Sequence, residues 1–307
     1  MKLVIDENIK KADAILFECF RFLNLIRHVN PTNLPEEKEA FFSHKKRNPT
    51  FTYKPPRRNV NDLRNTLHAL DIPNHDLGKI YEKIRRQLLK QCTIIEHIGI
   101  NDSIVKELTS DIYGWPNEVL VRSAKKVLRE VPEVDITYNI PPEVIMGSVQ
   151  MMFDEIGLDD WEVKPSKKWI SAARHTRKVT ICKDRFFSEL DIKRLAVHEV
   201  GVHAIRYTNG DHQPLKIFHF GFPESLSTEE GLAVYFEVAT GNMTPMYFRN
   251  YAGRVLAIDC LRRNLDFRDC FSELQHYGFN DEDSWNLAVR VYRGGGFVKD
   301  HVDLQGY

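Results

Sequence analysis

The string His198-Glu199-Val200-Gly201-Val202-His203 puts two imidazoles and a carboxylate within one short stretch of chain. Neutral imidazole nitrogens and carboxylate oxygens are donors that zinc accepts, and a hydrolytic zinc site uses three protein ligands and leaves a fourth position for water. His198 and His203 are candidate ligands, and Glu199, beside the first of them, is a candidate catalytic base. The better-known peptidase spacing sets two histidines four residues apart, about 40° apart around a helix that turns about 100° per residue. Here the spacing is five, and a regular helix would carry His203 about 140° away from His198. Both rings can reach one ion only if a bulge absorbs the extra residue. The spacing therefore predicts a π-like bulge near Val200 to Val202, with Gly201 placed to tolerate the distortion.

The segment Thr228-Glu229-Glu230-Gly231-Leu232-Ala233 is the best source of a third ligand: a threonine N-cap opening a second helix, with carboxylates in its first turn. Glu230 is the chosen ligand and Glu229 the fallback, and Gly231 would let this helix approach the first closely. With one zinc ion per chain, a bound water becomes acidic near neutral pH, and Glu199 can take its proton and deliver it to a leaving amine. The implied reaction is metal-assisted amide hydrolysis. Taken singly, each histidine reads as an ordinary helix residue and the Glu229-Glu230 pair as a complement to the helix dipole; it is their combination that favours a metal site.

The elements that must hold these residues follow from periodicity and caps. Ile15, Leu16, Cys19, Phe20, Leu23 and Ile26 recur at three and four residues, which predicts a first helix broken at Asn30-Pro31-Thr32. Asn33 with Glu36 predicts a short second helix through Phe42, and Lys54 to Arg58 reads as a connection. Four more helices are expected over residues 61–70, 75–98, 103–113 and 116–131. After a helix over 142–156, segments 161–164 and 178–183 are rich in strand formers. Ser188 and Asp191 then form a capping box before the histidine helix, Asn209-Gly210 supplies its stop, and helices follow over 228–240, 245–263, 267–277 and 281–293. The expected fold is α+β and predominantly helical, with a helical N-terminal region (1–134), a small sheet and a catalytic region (135–307), or one continuous domain.

Composition limits the partners. Lys+Arg and Asp+Glu both number 43, so no global field attracts nucleic acid or an anionic membrane surface. The 5 cysteines lack close pairs, no secretory core forms near the N-terminus, and no uncharged apolar run approaches the roughly 20 residues of a membrane span. A soluble, reduced, cytoplasmic protein is expected, with no nucleic acid and no membrane among its partners.

The segments HEVGVHAIRYTNGDHQPL (198–215) and STEEGLAVYFE (227–237) resemble the core of the bacterial "QEGLA motif" proteins and of the microtubule-associated tyrosine carboxypeptidases. Supporting matches are NPTN (30–33), PTFTYKP (49–55), DIYGWP (111–116) and VYRGGGFVKD (291–300). The resemblance implies a gluzincin-like metallopeptidase fold, zinc held by His198, His203 and Glu230, and Glu199 as the base. It also implies a carboxypeptidase releasing tyrosine or another aromatic residue from a peptide or protein C-terminal tail. For eukaryotic members that tail is α-tubulin's, a partner expected here only if the source is eukaryotic or the target is a host protein. The alternatives are an aminopeptidase or endopeptidase with the same centre, or a non-catalytic zinc-stabilised binding protein, which would have no need of Glu199. Two features depart from the pattern: Glu229 stands where many bacterial relatives have glutamine, and the stretch after Arg293 is short, which would open one wall of a cleft.

A carboxypeptidase must also hold a terminal carboxylate, which arginine grips at two points and lysine as a point charge. Arg293 and Lys299 flank Gly294 to Gly296, glycines that could bring backbone close to substrate; the competing reading is solvated surface charge. Arg174, Arg177 and Lys178 precede a strand that could pair with an extended peptide, and they read equally as a basic rim for an acidic tail or as a charged turn. The triple glycine lacks the context of a phosphate loop. Cys182 reads as a buried structural thiol.

Overall fold

Asparagine and aspartate side chains start many of the helices. Asp6, Asn24, Asn59, Asn101, Asn117, Asp266 and Asn280 each accept a backbone N–H from the first turn that follows, satisfying a donor that has no partner within the helix. The computed structural model describes residues 5–56, 59–132, 136–166 and 177–307, together with the backbone of 171–173. It divides into two units.

The first unit, Met1–Pro132 with Arg249–Leu304, consists of helices and connecting loops, with no strand among its described residues. Its N-terminal part holds helices Glu7–Phe22, Leu34–Phe42, Val60–Ala69, Asp76–His97, Asp102–Tyr113 and Glu118–Glu130, close to the expected spans. The first helix is shorter than its periodicity predicts. Asn24 takes the N–H of Ile26 and starts a separate turn, Leu25–His28, so the apolar stripe continues across a break. Arg249–Leu304, expected with the catalytic region, groups with the N-terminal helices. The physical reason is an aromatic cluster: the Phe41 ring lies 5.2 Å from Phe267, 5.0 Å from Phe271 and 5.1 Å from Trp285.

The second unit is Glu133–Phe248 with Gln305–Tyr307. Its sheet has the order β1-β3-β2: β1 (Glu162–Ser166) runs parallel to β3 (Lys178–Cys182), and β2 (Ser171–Ala173) pairs with β3 antiparallel. β2 was not legible in the sequence, since Ser171, Ala172 and Ala173 carry no β-branched or aromatic signal. Val179 and Ile181 alternate inward from β3 and pack against Ile145, Val149 and Phe153, one stripe of helix Pro142–Glu155. Trp161, Phe187, Leu195, Val200, Ala204 and Tyr207 complete this core. The histidine helix is thus gripped from its apolar side, and the Trp161 indole N–H donates to the Thr208 hydroxyl at 2.9 Å. Gly210 does not stop the helix, which runs on to Asp211; a Cβ there would lie 2.3 Å from the Phe218 carbonyl, so the glycine serves a close backbone approach.

Candidate metal centre

The Ser188–Asp191 capping box opens the histidine helix: the Asp191 N–H donates to Ser188 Oγ, and the Ser188 N–H to Asp191 Oδ2. The chain runs as α-helix over Glu189–Leu195, widens into a π-helix over Ala196–Ala204, and resumes α-helix over Ile205–Asp211. An i→i+5 turn brings residues five apart nearly into line. The underwinding required by the histidine spacing is therefore present, and it extends over 9 residues rather than only Val200 to Val202. The space at Gly201 would admit a side chain. A Cβ on Gly201 would come no closer than 3.8 Å to the Ala196 carbonyl oxygen.

The result is convergence of both rings on one carboxylate. The His198 and His203 ring centres stand 5.0 Å apart, and their Nε2 atoms lie 3.7 and 3.5 Å from Glu230 Oε2. One donor atom from each of the three residues falls within 4.8 Å of the others. Donors around a tetrahedral ion with bonds of about 2.1 Å sit about 3.4 Å apart, so small side-chain movements would close the set on an ion.

The remaining ring nitrogens are also committed. His198 Nδ1 is 2.7 Å from Glu237 Oε1, and His203 Nδ1 is 2.8 Å from Glu229 Oε1. A proton held at Nδ1 leaves the Nε2 lone pair facing Glu230, the tautomer a ligating histidine needs. Burial alone would lower the pKa of both rings; for His198 the hydrogen bonds of Glu230 and Glu237 prevail and hold it up at about 9. For His203 burial is likewise outweighed by Glu229 and Glu230, which hold it up at about 10. The carboxylates thus favour positive charge at this point, which a cation would supply in place of protons. Glu199 is buried beside His198, and its charge acts on both imidazoles.

The structure therefore brings together His198, Glu199, His203 and Glu230, on the histidine helix and on helix Leu226–Ala239. Thr228 does not cap that second helix, which begins two residues earlier. Gly231 serves a different approach from the one expected: a Cβ there would lie 2.2 Å from the Gly306 carbonyl carbon. Glu237 was missed. Its sequence signal is faint, a carboxylate two turns after Glu230 on the same stripe, set among the apolar residues Tyr235, Phe236 and Val238.

Arg293 and Lys299 lie in the first unit. The Arg293 guanidinium is buried, donates to Asn30 Oδ1 at 2.8 Å and to the Arg290 carbonyl, and has its pKa pushed down by burial to about 10. Gly294, Gly295 and Gly296 have φ of 73°, 100° and 124°, and a Cβ on the first two would strike Val29 and Asp102. Their backbone packs against N-terminal helices, and the Gly294 N–H donates to the Tyr53 hydroxyl. Arg174 lies outside the described residues. Arg177 pairs with Asp160 and Asp211, and Lys178 with Glu162. Cys182 is free and half-buried.

A His–His–Glu donor set with both histidines buried, each backed by a carboxylate, and a further glutamate beside the first histidine defines a two-helix centre suited to a divalent cation. Residues 39–307 match the family described as "Microtubule-associated tyrosine carboxypeptidase", and the chain belongs to that family. It is 24% identical to microtubule-associated tyrosine carboxypeptidase 1 of Rattus norvegicus over 291 residues, covering 91% of this chain and 54% of the relative. The Mus musculus protein of the same name is 23% identical over 290 residues, with the same coverage. The chain thus spans about half the length of the curated relatives it matches. No solved structure matches it at significance. Among the described residues, no helix is long and apolar enough to cross a membrane.

Proposed function

We propose that the chain is a zinc-dependent metallopeptidase of gluzincin-like fold, acting as a carboxypeptidase that releases a C-terminal tyrosine or other aromatic residue from a protein tail. The observation that carries this reading is the convergence of His198 Nε2, His203 Nε2 and Glu230 Oε2 next to a buried Glu199. His198, His203 and Glu230 would hold the ion, which when bound makes water acidic near neutral pH and polarises a carbonyl. Glu199 accepts the proton of the attacking water on its carboxylate and then donates it to the nitrogen of the departing residue. Membership of a family named for a tyrosine carboxypeptidase supports the choice of substrate, and the name of the relatives makes a microtubule protein tail the first candidate. A cytoplasmic location is part of the same proposal.

Zinc measured in protein purified without added metal should be about one ion per chain, as a three-ligand site requires; absence of zinc even after it is supplied would remove the metal reading. Glu199→Gln should retain the ion and lose turnover by a factor of at least about 100. Full activity in that variant would exclude Glu199 as the base. Peptides ending in tyrosine with a free or an amidated terminus separate the exopeptidase reading from its alternatives, since only the free form should be cut. Equal cleavage would point to an endopeptidase.

A further inference from the structure

Both carboxylates that back the metal histidines are themselves gripped by arginines, and both arginines come from the histidine helix. Glu237, fully buried, receives Arg194 Nη1 at 3.2 Å on the oxygen that also faces His198 Nδ1. Glu229, 6% exposed, faces His203 with one oxygen and forms an ion pair with Arg206 through the other, with Nε 3.0 Å away. Arg194 lies four residues before His198 and Arg206 three after His203, so each shares a helix face with the histidine it serves. We propose that Glu229 and Glu237 are positioning residues for the metal histidines, and that Arg206 and Arg194 lock these carboxylates in place, so that the two helices clamp the centre at both ends. The proposal rests on the metal reading above.

Three observations support it. The arginines are anchored beyond the carboxylates: Arg206 donates to the carbonyls of Phe218 and His219 and lies 4.1 Å over the Tyr207 ring. Arg194 lies 3.9 Å over the Tyr247 ring, and the Tyr247 hydroxyl donates to Asp191, which completes the capping box with Ser188. A guanidinium held from two sides fixes the carboxylate it touches, and a fixed carboxylate fixes the imidazole. The charges also balance around a divalent cation: Glu199, Glu229, Glu230 and Glu237 against Arg194 and Arg206 leave two negative charges, with the histidines neutral. Finally, the helix Leu226–Ala239 turns Glu229 and Glu237 inward while Leu232, Tyr235 and Phe236 are exposed, so the polar centre lies on its buried side.

The test is zinc affinity, measured by competition with a chromophoric chelator on the full chain. Glu229→Gln and Glu237→Gln, which keep the shape and remove the charge, should each weaken zinc binding by roughly 10–100-fold. Arg206→Gln and Arg194→Gln should weaken it by a smaller factor, and Lys193→Gln, at an exposed neighbouring position, should not change it. The visible spectrum of the cobalt-substituted protein should shift in the glutamate variants, which loss of stability alone would not produce. If one glutamate variant fails to fold, the other and the arginine variant at the same end still decide. Affinities within twofold of the parent across these variants, in a parent that binds zinc, would overturn this inference alone. A parent that binds no zinc would overturn the metal reading as well.

Discussion

Glu229 and Glu230 are adjacent in sequence and do different work, because a helix turns successive side chains about 100° apart. Glu230 reaches the Nε2 side of both rings, and Glu229 reaches His203 Nδ1. Residue types and spacing made the first role legible; the second needed the position of a ring that lies 26 residues away. Glu237 was hidden for the same reason, and so was the burial of Arg293, because a sequence does not record exposure. An arginine beside glycines reads as a free anchor, whereas this one is 7% exposed and tied to Asn30. Gly201 offers a clean test at this scale. It has no positive φ, and its Cβ position is clear of close contacts. Gly201→Ala should therefore leave zinc affinity unchanged and raise stability by up to about 1 kcal/mol through the lost flexibility of the unfolded chain. Urea unfolding checks this, and a destabilised variant would show that the π-helix does need glycine.

The helices were legible because each carries its own signals, an apolar stripe and a side-chain cap, within a dozen or so residues. β2 was not, since its identity comes from pairing with Val179 and its neighbours rather than from its own composition. The π-helix falls between these cases: it is set by chemistry at one face and by packing at the other. Deleting Gly201 would give the histidines the four-residue spacing that suits a regular helix. It would also rotate everything after the deletion by about 100° relative to what precedes it. Leu195 and Val200 would keep the core while Ala204, Tyr207 and the Thr208 bond to Trp161 turned away, or the reverse. The deletion variant should lose cooperative thermal unfolding and bind zinc poorly despite its more familiar motif. A variant melting near the parent temperature would mean that the fold is indifferent to the wider turn, leaving ligand geometry as its sole reason.

On the scale of the whole molecule, the family-like motifs sort by unit. HEVGVH and STEEGLAVYFE build the candidate metal centre in the second unit, whereas NPTN, PTFTYKP, DIYGWP and VYRGGGFVKD meet one another in the first. Asn30 holds Arg293, Tyr53 holds the Gly294 N–H, and the Tyr113 ring lies 5.8 Å from Phe297. Those distant matches are thus signs of a shared scaffold, which linear spacing alone did not reveal. Asp300 ends the last of them and is buried at 3% exposure, with Arg290 Nε at 2.7 Å. Burial would raise its pKa, but Arg290 and Arg293 prevail and hold the carboxyl well below the usual range. A carboxyl depressed in the folded state adds stability that is present above its unfolded pKa, about 3.9, and is lost as pH falls toward the folded value. The parent should therefore lose stability progressively below about pH 4 through this group. Asp300→Asn should cost about 3–5 kcal/mol at pH 6, because it leaves buried guanidinium charge without its partner. The same variant should then show a shallower decline in acid. Urea unfolding of both proteins between pH 6 and pH 3 reads the two effects together, and parallel curves would mean that Asp300 does not hold the scaffold by charge.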